Sequence, residues 1–378
     1  MRILFWVGYR FEAWNSQSEG LGGTEIAVSR VAEAMARYGH EVTVAGQCIN
    51  GNHNRVEWKN IQTFEEVFTK APSDWFDVVI GVNYLHFLQY VKDVNLNPKY
   101  KVFWLHNTEY HEFYKGEELP NQTEMLHEID LVVTPSPWSN AVFHETYVLP
   151  LENTTRPWRG LIQSQINGID PENFKMNCKK DPNKFIWSSA VDRGLDRLLD
   201  NWWKVKEVMP EATLDIYYPK YANPHTQDDR GWYNIGGILD RMNNLKDYGV
   251  NDMGTVSQTE LHNAMQKASY WMYLTDYEET FCITALEMQM SGVFCIVSDT
   301  AALPFVVKDG IIAPTTTDET MFDNSIQLLD KMDRGLKNKA LRDAKQRSKL
   351  FTWDIVGHSW HEMLKHNLGF AKYNKTLA

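Results

Sequence analysis

The sequence predicts an α/β protein of two doubly wound domains, and three observations carry that expectation. An apolar run at residues 2–7 leads through a glycine-bearing loop into an amphipathic helix and a second apolar run at 41–44, the strand–helix–strand order of a parallel sheet. A polar stretch at 166–182, with Gly168, Pro171 and Pro182, then interrupts the pattern. Beyond it the alternation of short apolar runs and helical segments starts again.

Each element follows from local chemistry. The helix at 25–38 sets Ala27, Val31, Ala34, Met35 and Tyr38 on one face at spacings of three and four, and Gly39 ends it. Apolar runs at 78–82, 102–105 and 131–134 extend the first sheet. After the break, strands are expected at 185–188, 212–218, 271–274 and 294–297, with helices at 195–207, 258–267 and 282–290 and a terminal helix at 353–368. The expected division is therefore 1–168, 169–352 and a terminal segment 353–378. Ligands of open α/β sheets bind beyond the carboxyl ends of the strands, so two such domains are expected to face each other across a ligand cleft.

Composition narrows the function classes. With 43% hydrophobic and 23% charged residues, the 378-residue chain can bury two cores. A net charge of -11 excludes a nonspecific nucleic-acid binder, which needs a lysine and arginine excess. Cys48, Cys178, Cys282 and Cys295 have no metal-ligand spacing and fit a reducing, cytoplasmic setting. No signal peptide or membrane-length apolar run is read. The cations beside Trp158 in Arg156-Pro157-Trp158-Arg159 leave peripheral membrane contact open, against the alternative of a polar loop with one packed Trp.

The most informative segment is Asp276–Glu287. A buried strand, a turn and a helix starting near Phe281 would leave the amides of Cys282, Ile283 and Thr284 open at a helix N-terminus, where phosphate binds readily. Glu287, at i+4 from Ile283, shares that face. A carboxylate beside a bound phosphate repels it unless a polyhydroxyl group such as ribose or hexose lies between. Equally open on this segment alone is a first-turn acid at Glu279 and a solvated helix acid at Glu287. Gly22 and Gly23 form a second candidate, allowing close approach of the backbone to a phosphate or sugar, or simply a turn. They are not part of a G-x-G-x-x-G fingerprint, which makes a dehydrogenase a poor choice.

Glu279 to Glu287, followed by Met290-Ser291-Gly292-Val293, resembles the Glu-x7-Glu signature of glycosyltransferase family 4, retaining nucleotide-sugar transferases of GT-B fold. Gly22-Gly23-Thr24-Glu25, Ile166-Asn167-Gly168-Ile169-Asp170, Asp192-Arg193-Gly194-Leu195-Asp196, Met253-Gly254-Thr255-Val256 and Phe351-Thr352-Trp353 resemble further family elements in family order. The resemblance implies an acceptor-binding first domain, a nucleotide-sugar-binding second domain and a terminal helix that crosses back to the first. It implies catalytic roles for His106, Arg193 and Glu279. Donor contacts would come from Gly22, Gly23, Val256, Phe281, Cys282, Ile283, Thr284 and Glu287. Glu279 would read hexose hydroxyls, Glu287 the ribose diol, Arg193 (helped by Arg197) the pyrophosphate, and Val256 the nucleobase through its backbone. The partners implied are a nucleotide-sugar and a glycan or other hydroxyl acceptor, with no cofactor and no obligatory metal.

Two positions depart from the family pattern. Ser188 stands where an arginine is usual, and Cys282 where glycine is usual. Trp14, Trp104, Tyr110 and Tyr114 could stack on sugars or serve as core. A nucleotide-sugar epimerase of the same fold and a non-catalytic carbohydrate-binding protein remain the alternatives.

Overall fold

Parallel strands covered on both faces need side chains that are apolar on both sides, and this chain supplies such strands twice. The computed structural model describes residues 1–9, 12–108, 113–114, 117–118, 122–152, 154, 156–176, 178–219, 237–315 and 317–377, without the side chains of 113–114, 117–118, 122–123, 318 and 370–377. Compactness divides the chain into one unit of Met1–Ser18, Thr24–Asn167 and Trp353–Ala378, and a second of Glu19–Gly23 and Gly168–Thr352.

The first unit holds β1 (Arg2–Trp6), β2 (Glu41–Gly46), β3 (Gly51–His53), β4 (Val56–Asn60), β5 (Val78–Val82), β6 (Tyr100–Trp104), a separate antiparallel pair β7 (Phe113–Tyr114) and β8 (Glu117–Glu118), then β9 (Leu131–Thr134) and β10 (Leu161–Ser164). The main sheet has the order β10-β9-β6-β5-β1-β2-β4-β3, parallel except where β3 meets β4. Ile3, Leu4, Phe5 and Trp6 are wholly buried, as a central strand requires. In β5, Gly81 is obligatory: a Cβ there would lie 2.0 Å from the Phe87 ring.

Helix Gly23–Arg37 buries Ala27, Val31, Ala34 and Met35. Tyr38 departs from the expected core face. It follows the helix, is 42% exposed, and stacks at 4.5 Å on His361 of the terminal helix Trp353–Leu377. That terminal helix packs within the first unit, with Trp360 fully buried and edge-on to Trp104 at 4.7 Å. Gly357 permits the approach, since a Cβ on it would come within 2.4 Å of the Ala34 methyl.

The second unit holds β11 (Lys184–Ser188), β12 (Thr213–Tyr217), β13 (Val250–Gly254), β14 (Tyr270–Tyr273), β15 (Phe294–Ser298) and β16 (Ile311–Ala313). They form one parallel sheet in the order β13-β12-β11-β14-β15-β16. Helix Gln258–Lys267 has the expected bounds. The helix expected at 195–207 is instead two, Leu195–Asp200 and Trp202–Val208, broken where Asn201 leaves helical geometry at φ -106°, ψ 7°. No helix among the described residues is long and apolar enough to cross a membrane.

Candidate functional site

The second sheet reverses direction between β11 and β14: the chain builds outward from β11 through β12 to β13, then returns to lay β14 on the other side. Loops leaving two such neighbours diverge, and the crevice beyond their carboxyl ends is where open α/β sheets bind ligands. The loop after β11 carries Arg193, and the loop after β14 carries Glu279.

Gly194 brings the two loops together. It has φ 99°, and a Cβ on it would stand 3.3 Å from the Leu274 carbonyl oxygen, so both conformation and space call for glycine. Arg193, one residue earlier, places Nη1 3.5 Å from Glu279 Oε1 and its guanidinium carbon 3.3 Å from the Tyr277 ring centroid. Burial, the largest single influence, would lower the Arg193 pKa, but Glu279, Tyr277, Tyr273 and Asp192 together outweigh it and hold the group above its ordinary value. Arg193 Nε is buried with no hydrogen-bond acceptor among the described residues. Glu279 also accepts a 2.6 Å hydrogen bond from the Tyr273 hydroxyl. Burial, reinforced by Glu279, pushes the Tyr273 pKa well up, so the phenol stays a donor. Arg197, expected to help Arg193, pairs instead with Asp276.

Cys282 is the N-cap of helix Ile283–Met290, one residue later than the expected start, and sits in the left-handed region at φ 73°, ψ 84°. That conformation is costly for any residue with a Cβ, which gives a physical reason for glycine at such a position. Burial, then the Glu279 charge, raises the thiol pKa well above its ordinary value, so no thiolate adds negative charge here. The amides of Ile283 and Thr284 open the first turn, where N–H groups have no acceptor within the helix. Thr284 Oγ1 donates to the Ser188 carbonyl at 3.3 Å, fixing this turn against the end of β11. Ser188 Oγ itself is buried without a partner among the described residues. The Phe281 side chain is 1% exposed and packs near Phe305 and Phe351, which leaves only its backbone to offer a ligand.

Glu287 is not a solvated helix acid. Its side chain is 12% exposed, and Oε1 lies 3.1 Å from Nε2 of His262, itself 8% exposed. His262 belongs to helix Gln258–Lys267, which starts at a reciprocal capping box between Ser257 and Glu260. Val256 immediately precedes that box, in a half-buried loop that Thr255 Oγ1 anchors to the Tyr218 carbonyl at 2.9 Å. The histidine was not legible as a site residue. Its only sequence signal is a shared helix face with Met265 and Gln266.

Of the remaining candidates, Gly23 groups with the second unit and reaches this cluster, where a Cβ on it would stand 3.9 Å from Ile283 Cδ1. His106 lies in the first unit just after β6; it is 8% exposed, its amide donates to Asn83 Oδ1 at 2.7 Å, and its ring packs against Trp104 at 4.5 Å. Gly22 and Gly23 open helix Gly23–Arg37, and neither has positive φ; Gly20, at φ 65°, makes the turn. Trp14 and Trp104 are buried core residues. Tyr110 and the side chain of Tyr114 lie outside the described residues. Trp158 packs against the first-unit core, and Arg156 reaches Glu124 at 3.9 Å. Among the described residues, no group of three or more His, Cys, Asp or Glu could hold a metal ion.

No protein-family model and no curated protein matches this sequence. Solved structures do match. Sucrose-phosphate synthase from Thermosynechococcus elongatus is similar at a TM-score of 0.71 and 14% identity, over 97% of this chain and 99% of that one. The α,α-trehalose 6-phosphate synthase from Burkholderia multivorans gives 0.71 at 10% identity, over 99% and 98%. A UDP-forming α,α-trehalose-phosphate synthase from Burkholderia xenovorans, in complex with glucose-6-phosphate, gives 0.66 at 11%, over 97% and 100%. The fold is GT-B. At these identities the likeness speaks for architecture alone.

Proposed function

We propose that the protein is a retaining, family 4-type glycosyltransferase that moves a sugar from a nucleotide-sugar to a hydroxyl of a glycan or other acceptor. One observation carries the reading. At the switch point of the second sheet, a guanidinium with an unused buried N–H, an unpartnered Ser188 hydroxyl and the open first turn of helix Ile283–Met290 gather donors for an anion, with Glu279 and Glu287 in the same segment. A diphosphate satisfies such donors, and two nearby acids are compatible with it when hydroxyl-bearing rings lie between.

In the proposed transfer, the bond from the anomeric carbon to the phosphate oxygen breaks. A bond to the acceptor oxygen forms on the same face, and the acceptor proton passes to the departing phosphate. Arg193, Ser188 and the amides of 282–284 take up the developing charge, without an obligatory metal. Glu279, held by Tyr273 and Arg193, accepts from hexose hydroxyls, and Glu287 accepts from the ribose diol. The roles of His106 toward the donor sugar, of Gly22 and Gly23 toward sugar or phosphate, and of Val256 toward the base rest on the family resemblance. The fold's occurrence in a UDP-forming synthase in complex with glucose-6-phosphate is in keeping with a nucleotide-sugar donor and a sugar acceptor in this reading. The setting in this reading is cytoplasmic, with membrane contact at most peripheral.

The test is incubation with UDP-, GDP- and ADP-hexoses and a panel of sugar and sugar-phosphate acceptors, following nucleoside diphosphate release and the product anomer by NMR. Acceptor-dependent release with the donor's anomeric configuration supports the reading. Donor conversion without acceptor would indicate an epimerase, and glycan binding without release a carbohydrate-binding protein; either outcome overturns it.

A further inference from the structure

A glutamate that reads two adjacent hydroxyls must present its carboxylate at a fixed angle, yet glutamate is among the side chains with the most rotamer freedom to lose. Glu287 has that freedom removed already. Its Oε1 is tied to His262 Nε2 at 3.1 Å, in surroundings that leave the two side chains 12% and 8% exposed. A carboxylate only accepts, so Nε2 carries the hydrogen and donates. Oε1 is thereby oriented and Oε2 turned to a defined direction.

His262 is held in turn. Its ring packs over Phe174 at 4.7 Å, and its backbone carbonyl accepts from Gln266 Nε2 at 3.1 Å. Gln266 also donates to the Asn173 carbonyl at 3.2 Å and accepts from the Met176 amide at 2.7 Å. The helix bearing both residues is started by the Ser257–Glu260 capping box, directly after Val256. His262 is therefore held at two levels: the Phe174 contact on its ring, and the Gln266 clamp and capped helix on its backbone.

We infer that His262 is the positioning residue for Glu287, and that the hydrogen-bonded pair, not the acid alone, sets discrimination between ribonucleotides and deoxyribonucleotides. This rests on the function proposed above, in which Glu287 meets the ribose. A merely structural His262 would support folding without touching that discrimination.

Calorimetric titration with UDP, GDP and ADP and their 2′-deoxy counterparts tests it. The wild-type protein is expected to favour the ribo form of its tightest ligand by about tenfold, the scale of one hydrogen bond to a charged group. His262→Leu should reduce that preference to about twofold or less, while His262→Gln, whose amide can donate from near the Nε2 position, should restore most of it. Should His262→Leu fail to fold, His262→Asn replaces it: its shorter amide stops short of Glu287, so the preference should fall although a donor is present. Full ribo preference in the folded leucine or asparagine variant, with its loss in Glu287→Ala, overturns the inference and leaves the proposed function standing. Binding of none of the three nucleotides, or no ribo preference in the wild type, removes the role of Glu287 and the inference with it.

Discussion

The guanidinium carbon of Arg193 stands 3.3 Å from the centre of the Tyr277 ring. The stack and the Glu279 carboxylate 3.5 Å away hold the cation in place before any ligand arrives. Buried ion pairs contribute little net stability, so this arrangement is better explained by the need for a fixed positive charge. Arg193→Ala is expected to lower transfer by at least about a hundredfold. Tyr277→Leu, which removes only the stack, should cost about two- to fivefold. Steady-state donor turnover measures both; equal and small effects would sink the assignment.

Cys282 offers a second test through its backbone. In an ordinary helical setting alanine is more stable than glycine by about 1 kcal/mol. At φ 73° the order should reverse, with Cys282→Gly at least as stable as Cys282→Ala and the gap of about 1 kcal/mol in glycine's favour. Both variants lose the thiol, so the comparison isolates the backbone. Urea unfolding decides it, and the ordinary order would contradict the left-handed N-cap.

The terminal helix should contribute a large part of the first unit's stability. Trp360 is wholly buried against Trp104, and Trp360→Ala is expected to cost about 3–5 kcal/mol in denaturant unfolding. A loss below about 1 kcal/mol would mean that the helix does not pack there.

Acid should weaken the same region. Burial, then the Met1 ammonium 3.3 Å from Nδ1 and the charged form of His361, lower the His40 pKa from 6.5 to about 4. The folded form then resists a proton that the unfolded chain accepts. The contribution is therefore complete above pH 6.5 and is lost as pH falls toward 4. From about pH 7 to about pH 5, Tm should fall more steeply for the wild type than for His40→Gln, measured by circular dichroism. Parallel curves would contradict it.

How far the sequence spoke depended on where a residue's neighbours come from. Helix Gln258–Lys267 was readable to the residue because its capping box lies within four consecutive positions. The central strands were readable because burial on both faces leaves unbroken apolar runs. β13 was not: Val250-Asn251-Asp252-Met253-Gly254 is an edge strand with exposed polar side chains and no period to detect. β3 and β16, of three residues each, are too short to carry a pattern. Within the site, the Glu279–Glu287 segment was visible by spacing. The Tyr277 stack and the His262 contact arise from tertiary packing, His262 lying 25 residues from its partner with no local signature.

The central claim is that one nucleoside diphosphate docks in the second unit on Arg193 and the first turn of helix Ile283–Met290, with Glu287 at its ribose. Titration of UDP, GDP and ADP into the wild type, Arg193→Ala and Glu287→Ala by calorimetry tests it most directly. The expected result is saturable binding of at least one nucleotide by the wild type, weakened about tenfold or more in each folded variant. Wild-type affinity retained in both variants, or no binding of any of the three, would contradict the account.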